Sequence, residues 1–195
     1  MNPLCHANKS PSKSLVGFIE EDNPHDTYVM PPLRNWDIAA LEKACGGVEF
    51  PPGRLQKLNK AGLLGNPMEI TERISDENEL ASNPDGGVVL SRAVGVDPAV
   101  IQALRALVST DEEWEQSGSS VGNFAAEVNP ENESKARIAA RTAIEMELSS
   151  KPTTIEMDRT KLSSKSELLE PDERMAIMFR IEKKKLLKET IDKLL

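Results

Sequence analysis

The amino-acid sequence predicts a mainly α-helical domain, and two observations carry that prediction. The first is a set of three dipeptides in which a helix-capping residue precedes a proline: Asp97–Pro98, Asn129–Pro130 and Glu170–Pro171. The second is composition, because hydrophobic residues make up 38% of the 195 positions while aromatic residues make up only 4%. Such a chain is expected to build one aliphatic core between helices.

Each of these prolines opens a stretch whose apolar side chains recur at helical spacing. The apolar faces are Val100, Leu104 and Leu107 in the first stretch, Ala136, Ala139, Ala140, Ala143, Ile144 and Met146–Leu148 in the second, and Ile177, Ile181, Leu187, Ile191 and Leu194 in the third. Lys151–Pro152 should end the second helix. The third helix should span residues 171–195, about 37 Å at 1.5 Å per residue, and pack onto the second.

Two segments between these helices are predicted to be loops. Ser117–Asn123 is rich in glycine and serine, which indicates a mobile connection. Leu162–Leu169 is a polar stretch that leads into the last helix. Neither segment shows the apolar periodicity of the helices around it.

The N-terminal part of the chain predicts shorter elements. Residues 1–14 have the composition of a disordered lead-in, and Thr27–Met30 predicts a short extended segment that ends at the following prolines. Short helices are predicted over Asp37–Ala44 and from Pro52 to about Ala61.

A short β-hairpin is predicted in the middle of the chain. Polar and apolar residues alternate in Met68–Arg73, and Val88–Leu90 is a run of β-prone residues. The turn-forming segment Asn83–Gly87 lies just before the second of these stretches. The two stretches would then pair as antiparallel strands.

The charge of the chain favours some partners over others. A net charge of -8 argues against binding to nucleic acid, and no apolar run is long enough to cross a membrane. Segment 171–195 is locally basic, with seven Lys/Arg against five Asp/Glu. Its triplet Lys183–Lys185 could contact a polyanion, but we favour the interpretation that it is a solvated helix face.

The residue types that catalysis needs are scarce. Neither a phosphate-binding glycine loop nor a dinucleotide-binding motif occurs, and both histidines, His6 and His25, lie near the N-terminus. No spacing of cysteine and histidine fits a metal site. Cys45 is better explained as a small buried residue than as an activated thiol. Trp114 is better explained as a core residue than as an exposed anchor for a partner.

Three stretches, in order, resemble the SET-domain lysine methyltransferases of the Rubisco large-subunit methyltransferase type. Gly17–Tyr28, GFIEEDNPHDTY, is similar to the segment that leaves the SET domain, and Ala99–Glu113 resembles a helix and turn of the family. Asn129–Leu195, with KPTTIEMD and the closing run LEPDERMAIMFRIEKKKLL, resembles the end of the family's helical substrate-binding domain. The resemblance implies a remnant of the SET exit segment over residues 15–30 and a helical substrate-binding domain over residues 31–195.

The residues that the family uses for catalysis have no counterpart in this chain. The family's catalytic tyrosine would stand before Gly17, where the chain has Val16, and the only tyrosine is Tyr28. The family's Asn-His motif for S-adenosyl-L-methionine (AdoMet) does not occur. Phe18 alone matches a cofactor-binding position, one that packs on the AdoMet adenine in relatives, and we favour a core role for it. We therefore expect no catalytic residues, no metal and no cofactor bound by this chain alone.

The resemblance leaves three functions open. The leading hypothesis is a non-catalytic module that binds the protein substrate, with its target lysine, of a protein-lysine N-methyltransferase. The alternatives are a fragment of an active AdoMet-dependent methyltransferase whose SET portion is missing from this chain, and a helical interaction scaffold without a methyltransferase role. We expect a monomer that binds neither nucleic acid nor membrane and resides in the cytoplasm, with plastid and nucleus as alternatives.

Overall fold

The computed structural model describes residues 20–64, 87–164 and 169–195. In these ranges the chain forms helices around a small antiparallel sheet, which confirms the mainly α prediction. The helices are α1 (Ile38–Ala44), α2 (Pro52–Lys60), α3 (Pro98–Val108), α4 (Asp111–Gln116), α5 (Pro130–Ser149), α6 (Ile155–Ser164) and α7 (Pro171–Lys193). The strands are β1 (Thr27–Met30), β2 (Val88–Ser91) and β3 (Gly95–Val96).

The predicted helix starts before proline are all confirmed. The Asp97 carboxylate accepts a hydrogen bond from the backbone N–H of Ala99 at 2.8 Å, and the Asn129 side chain accepts one from Asn132 at 2.8 Å. Glu170 makes no such side-chain cap at the start of α7. This agrees with the low preference for glutamate at that position, since its longer side chain caps poorly.

The sheet has the order β1–β2–β3, with both neighbouring pairs antiparallel. The strand predicted at Thr27–Met30 is confirmed as β1, and all four of its residues pair with β2. The predicted hairpin partner of β2, Met68–Arg73, lies outside the described residues. The second described partner of β2 is the two-residue strand β3, which starts at Gly95, where φ is +89° and a side chain would be strained.

The core lies where α5 crosses α1, α3 and α7. α5 packs on all three, and α7 also contacts α6 and the sheet. The small side chains between α3 and α5 are fully buried, which lets the two backbones approach closely: Ala103, Ala106, Ala136, Ala139 and Ala140. The predicted contact between the last two long helices, α5 and α7, is confirmed.

The predicted mobile loop at Ser117–Asn123 is instead a packed connection. A 3₁₀ turn over Val121–Phe124 places both of its end side chains in the core, and the Phe124 ring stacks on Trp114 with centroids 5.5 Å apart. Glycine and serine content alone does not reveal these two anchors. Trp114 is 9% exposed, which confirms its predicted core role.

The segment after α5 also differs from its prediction. Residues Leu162–Ser164 were expected in a loop but form the last turn of α6. The helix was missed because its apolar face is short: its one fully buried side chain is the charged Asp158. The remaining predicted loop residues, 165–168, lie outside the described residues.

Candidate protein-binding surfaces

A network of charged side chains holds the segment before β1 against α7. Glu182 on α7 is buried and accepts hydrogen bonds from the backbone N–H of Asp22 at 3.0 Å and from Lys185 at 2.7 Å. Arg92, from the turn between β2 and β3, donates to Glu182 at 3.3 Å and to Glu189 at 2.9 Å. The segment that begins at Asp22 is therefore held on α7 by hydrogen bonds to charged groups.

The lysine triplet on α7 points to the protein's own acceptors. Lys183 pairs with Asp26 and donates to the Thr27 carbonyl at 2.8 Å. Lys184 is only 4% exposed and donates to Asp158 on α6 at 2.7 Å. The expected solvated helix face is therefore wrong, because the contact with α6 and the segment before β1 cover the helix where the lysines stand.

Asp158 is the centre of a second cluster between α6 and α7. Its carboxylate accepts from Lys184, from Arg180 at 3.1 Å and from the Thr153 hydroxyl at 3.0 Å. Burial by itself would raise the pKa of Asp158, but these three hydrogen bonds and the charge of Lys184 lower the pKa below its ordinary value. The carboxylate stays charged at neutral pH and holds the two helices in one register.

A groove of about 340 Å³ lies between β3, α3, α5 and the end of α7. Its walls include the exposed Val94, the partly buried Ile101 and Leu194, and the charged side chains Arg105, Glu133, Arg137 and Lys193. Glu133 accepts from Arg105 at 2.6 Å and from Arg137 at 3.0 Å. Three cations against one carboxylate give the groove a local excess of positive charge in a chain whose net charge is -8.

Hydrogen bonds to these arginines make Glu133 a stable part of the groove. The bond from Arg105 is the main reason that the pKa of Glu133 is lowered, with Arg137 adding to it and burial opposing it. Arg105 also donates to the Ala125 carbonyl at 2.8 Å, so its guanidinium is held in place. Arg137 is half-exposed and therefore accessible to a partner.

A second recess, of about 220 Å³, lies between the end of β1, the start of α1 and the C-terminal half of α5. It contains Trp36 and two carboxylates, Asp37 and Glu147. Next to it, the Tyr28 hydroxyl donates to Glu147, and Lys151 donates to the same carboxylate at 2.5 Å. Burial and the bond to Glu147 raise the pKa of Tyr28, so this tyrosine is neutral and serves as a hydrogen-bond donor.

The residues singled out in the sequence are mostly structural or lie outside the description. Phe18, the one residue that the family resemblance assigns to cofactor binding, is not among the described residues. Cys45 is buried as a free thiol, and burial raises its pKa, which suits the predicted apolar role. The described residues contain no cluster of three or more side chains suited to hold a metal ion. None of the helices in the same ranges is both long and apolar enough to cross a membrane.

The charged clusters were missed by sequence reasoning, although one signal was present. Lys184 stands three positions after Ile181 and seven after Ile177, so it falls on the apolar face of α7. A charge at such a position predicts a buried partner. No local sequence pattern marks Arg92 or Asp158 as a charged residue with a buried partner, because their charged partners lie far away in sequence.

The described part of the chain is thus a helical domain with two surface recesses on α5. The sequence model of one family, described as Rubisco LSMT substrate-binding, matches residues 54–187. That match covers well over half of the chain, so the protein belongs to the Rubisco LSMT substrate-binding family, a domain found as part of SET-type lysine methyltransferases. Neither a curated protein nor a solved structure matches the chain significantly.

Proposed function

We propose that this chain is the protein-substrate-binding module of a protein-lysine N-methyltransferase and is not catalytic by itself. The observation that carries the proposal is the family match over residues 54–187, which extends from α2 into α7. Binding energy gained at a surface remote from the reacting atoms can position a protein substrate for methyl transfer. A module with that role needs a rigid surface rather than a cofactor site.

The groove between β3, α3, α5 and α7 is the surface that we assign to the substrate. Its walls combine apolar side chains with an excess of positive charge, so it suits an extended segment that carries a carboxylate beside an apolar residue. Val94 is 55% exposed and Arg137 is half-exposed, so both are accessible to such a segment. Arg105 is already held in place by Glu133 and the Ala125 carbonyl, which reduces the ordering cost of binding.

A methylation competition tests the proposal. Proteins captured from cell extract on the immobilised chain are offered, with labelled AdoMet, to an active methyltransferase of the same family. We expect lysine labelling in the captured proteins, and we expect excess free chain to suppress that labelling. Captured proteins that accept no methyl group, or labelling that excess chain leaves unchanged, would favour the interaction scaffold instead.

A pair of matched variants connects the competition to the groove. Arg137→Glu reverses a charge inside the groove, while Arg141→Glu makes the same change one turn further along α5, at an exposed pair with Glu145. We expect the first variant to lose most of its ability to suppress labelling and the second to retain it. Equal behaviour of the two variants would remove the groove from the proposal.

The proposal that the chain is not catalytic by itself is tested by measuring AdoMet binding. Isothermal titration of the chain with AdoMet should give no binding heat, because the matched domain is the substrate-binding one. Micromolar affinity for AdoMet would overturn the non-catalytic part of the proposal without affecting the substrate-binding part.

A second candidate function is a fragment of an active AdoMet-dependent methyltransferase. The observation that favours it is the docking of residues 22–27 on α7, because these residues lie within Gly17–Tyr28, the stretch that resembles a SET exit segment. Such docking would hold a preceding catalytic domain in a defined orientation. An upstream reading frame that encodes a SET region, and methyltransferase activity of the longer product, would establish this candidate.

A further inference from the structure

The recess beside Trp36 has apolar walls and a rigid rim. Its base is formed by the buried side chains Met30, Leu41 and Ala143. The Trp36 indole N–H donates to the Pro31 carbonyl at 2.9 Å, which fixes the orientation of the ring. An indole held in this way costs little entropy when a ligand packs against it.

The charge of this recess is opposite to that of the groove. Among the described residues that line it, Asp37 and Glu147 are acidic and none is basic. Asp37 caps α1 through Oδ1, which accepts from the Ala40 N–H at 3.1 Å, and Glu147 accepts from Tyr28 and Lys151 through Oε1. The second oxygen of each carboxylate accepts no hydrogen bond from the described chain.

The neighbouring cluster of Tyr28, Glu147 and Lys151 shows which chemical group an aromatic ring and a carboxylate can hold together. The Lys151 ammonium lies 5.4 Å from the centre of the Tyr28 ring and 2.5 Å from Glu147. An aromatic face beside a carboxylate therefore already binds a lysine of this chain. The recess offers the same two elements, Trp36 and the remaining carboxylate oxygens, and no lysine is among the described residues that line it.

We propose that this recess binds an unmethylated lysine side chain of the partner protein, at a place separate from the groove. The inference rests on the proposed substrate-binding function and adds a specificity element to it. The apolar walls take the four-carbon stem, and the ammonium lies between the indole face and the two free carboxylate oxygens.

The donor geometry selects lysine over its closest competitors. Arginine binds best when its guanidinium donates two parallel hydrogen bonds to both oxygens of one carboxylate. One oxygen of Asp37 and one of Glu147 already accept hydrogen bonds within the chain. The compact ammonium can instead donate to single oxygens from two elements. Trimethylation removes those donors, so a trimethylated lysine would lose both hydrogen bonds.

The two tryptophans of the chain provide the readout. In a ¹⁵N-correlation spectrum each indole N–H gives one signal, and Trp114 is buried against Phe124, so it serves as an internal control. Nα-acetyl-lysine methylamide, added to the full chain, should shift the Trp36 signal saturably in the millimolar range. The norleucine, arginine and trimethyl-lysine analogues should each bind at least about threefold more weakly, the loss expected for one exposed charge contact.

Conservative variants test which groups hold the ammonium. Asp37→Asn removes a charge but keeps a good helix cap, and Glu147→Gln keeps an acceptor for Tyr28. Each should weaken the lysine probe about two- to fivefold, as exposed ion pairs do, while the Trp114 signal stays in place. Glu145→Gln is the matched control, because it removes the same charge from α5 outside the recess.

Three results would overturn the inference. These are a Trp36 signal that does not move at tens of millimolar probe, equal binding of the norleucine analogue, and an equal loss with Glu145→Gln. The titration needs no methyltransferase, so its failure is distinct from failure of the proposed function. Successful competition in the methylation assay together with a silent Trp36 would reject the lysine recess and leave the substrate-binding function standing.

Discussion

Two helix pairs in this protein are held together by opposite means. The centre of the contact between α3 and α5 is dry and apolar, because it consists of alanine and leucine side chains that are fully buried, and the Arg105–Glu133 ion pair lies at its edge. α6 and α7 meet around Asp158 and Lys184, which are 1% and 4% exposed and 2.7 Å apart. The first contact gains stability from area removed from water, whereas the second must first recover the cost of desolvating two charges.

The difference teaches what each contact contributes to the fold. An apolar contact tolerates small shifts of one helix along the other, since any neighbouring apolar group serves. The ionic contact has one satisfactory register, because any other would bury Asp158 or Lys184 without its partner. α6 is short and has little apolar area, so its position on α7 depends on that register.

Removing one member of the buried pair should have the largest effect. Asp158→Ala leaves the Lys184 ammonium without its carboxylate, and breaking a buried pair in this way costs about 3–5 kcal/mol. Urea unfolding of the variant against the native chain measures this loss in the free energy of unfolding.

The double variant Asp158→Ala/Lys184→Met provides the control for that experiment. It removes both buried charges, so it should recover most of the lost stability. Arg141→Ala, at an exposed pair on α5, should cost only about 0.3–0.5 kcal/mol. A double variant as unstable as Asp158→Ala would mean that the carboxylate, and not the unpaired ammonium, determines the loss.

A deletion in the dry contact should cost nearly as much, for a different reason. Leu104→Ala removes a fully buried side chain from α3 and leaves a cavity, which typically destabilises by about 2–5 kcal/mol. Because no charge is involved, the loss should be the same at low and high salt. Urea unfolding at two salt concentrations measures this, and a loss that depends on salt would contradict the dry description of the contact.

Acid should weaken the ionic contact before the dry one. The pKa of Asp158 is lower in the folded chain than its ordinary value, so this carboxylate adds stability above the ordinary aspartate range, near pH 4. That contribution is lost as the pH falls through the lowered folded-state pKa. The loss of stability in acid should be smaller than that of Asp158→Ala, because protonation keeps the Asp158 side chain and leaves no cavity.

A comparison of two chains isolates this pH effect. Other carboxylates with lowered pKa values, such as Glu133 and Glu182, also lose stability in acid. These carboxylates are present in both the native chain and Asp158→Ala/Lys184→Met. Their contribution therefore cancels in the difference between the two unfolding free energies. As the pH falls from about 6 to about 2, that difference should shift in favour of the double variant, and a constant difference would show that Asp158 does not titrate as described.

The sequence predicted the elements whose signals are local. Asp97 and Asn129 marked helix starts because each caps N–H groups within the next three residues. The capping pattern of Thr110 and Glu113 would also have identified α4, since both hydrogen bonds of the capping box are present. Such capping signals involve only a few neighbouring residues, so they can be recognised without knowledge of the fold.

The candidate surfaces could not be predicted in the same way. The groove joins Val94 to Lys193, and the recess joins Met30 to Glu147, so each exists only after distant segments have packed. The family resemblance identified the kind of domain, and the match over residues 54–187 confirms it. It did not indicate which helical faces remain open, and its one cofactor position, Phe18, lies outside the described residues.

By itself, then, the sequence determined that α3, α5 and α7 would form and which of their faces would be apolar, because caps and periodicity act over one or two turns. Only the tertiary structure decided the roles of the charged residues. Lys184 looks like part of a solvated triplet until α6 brings Asp158 to it from 26 positions away. A charge is stable in the interior only beside its partner, and partners are chosen by packing rather than by proximity in sequence.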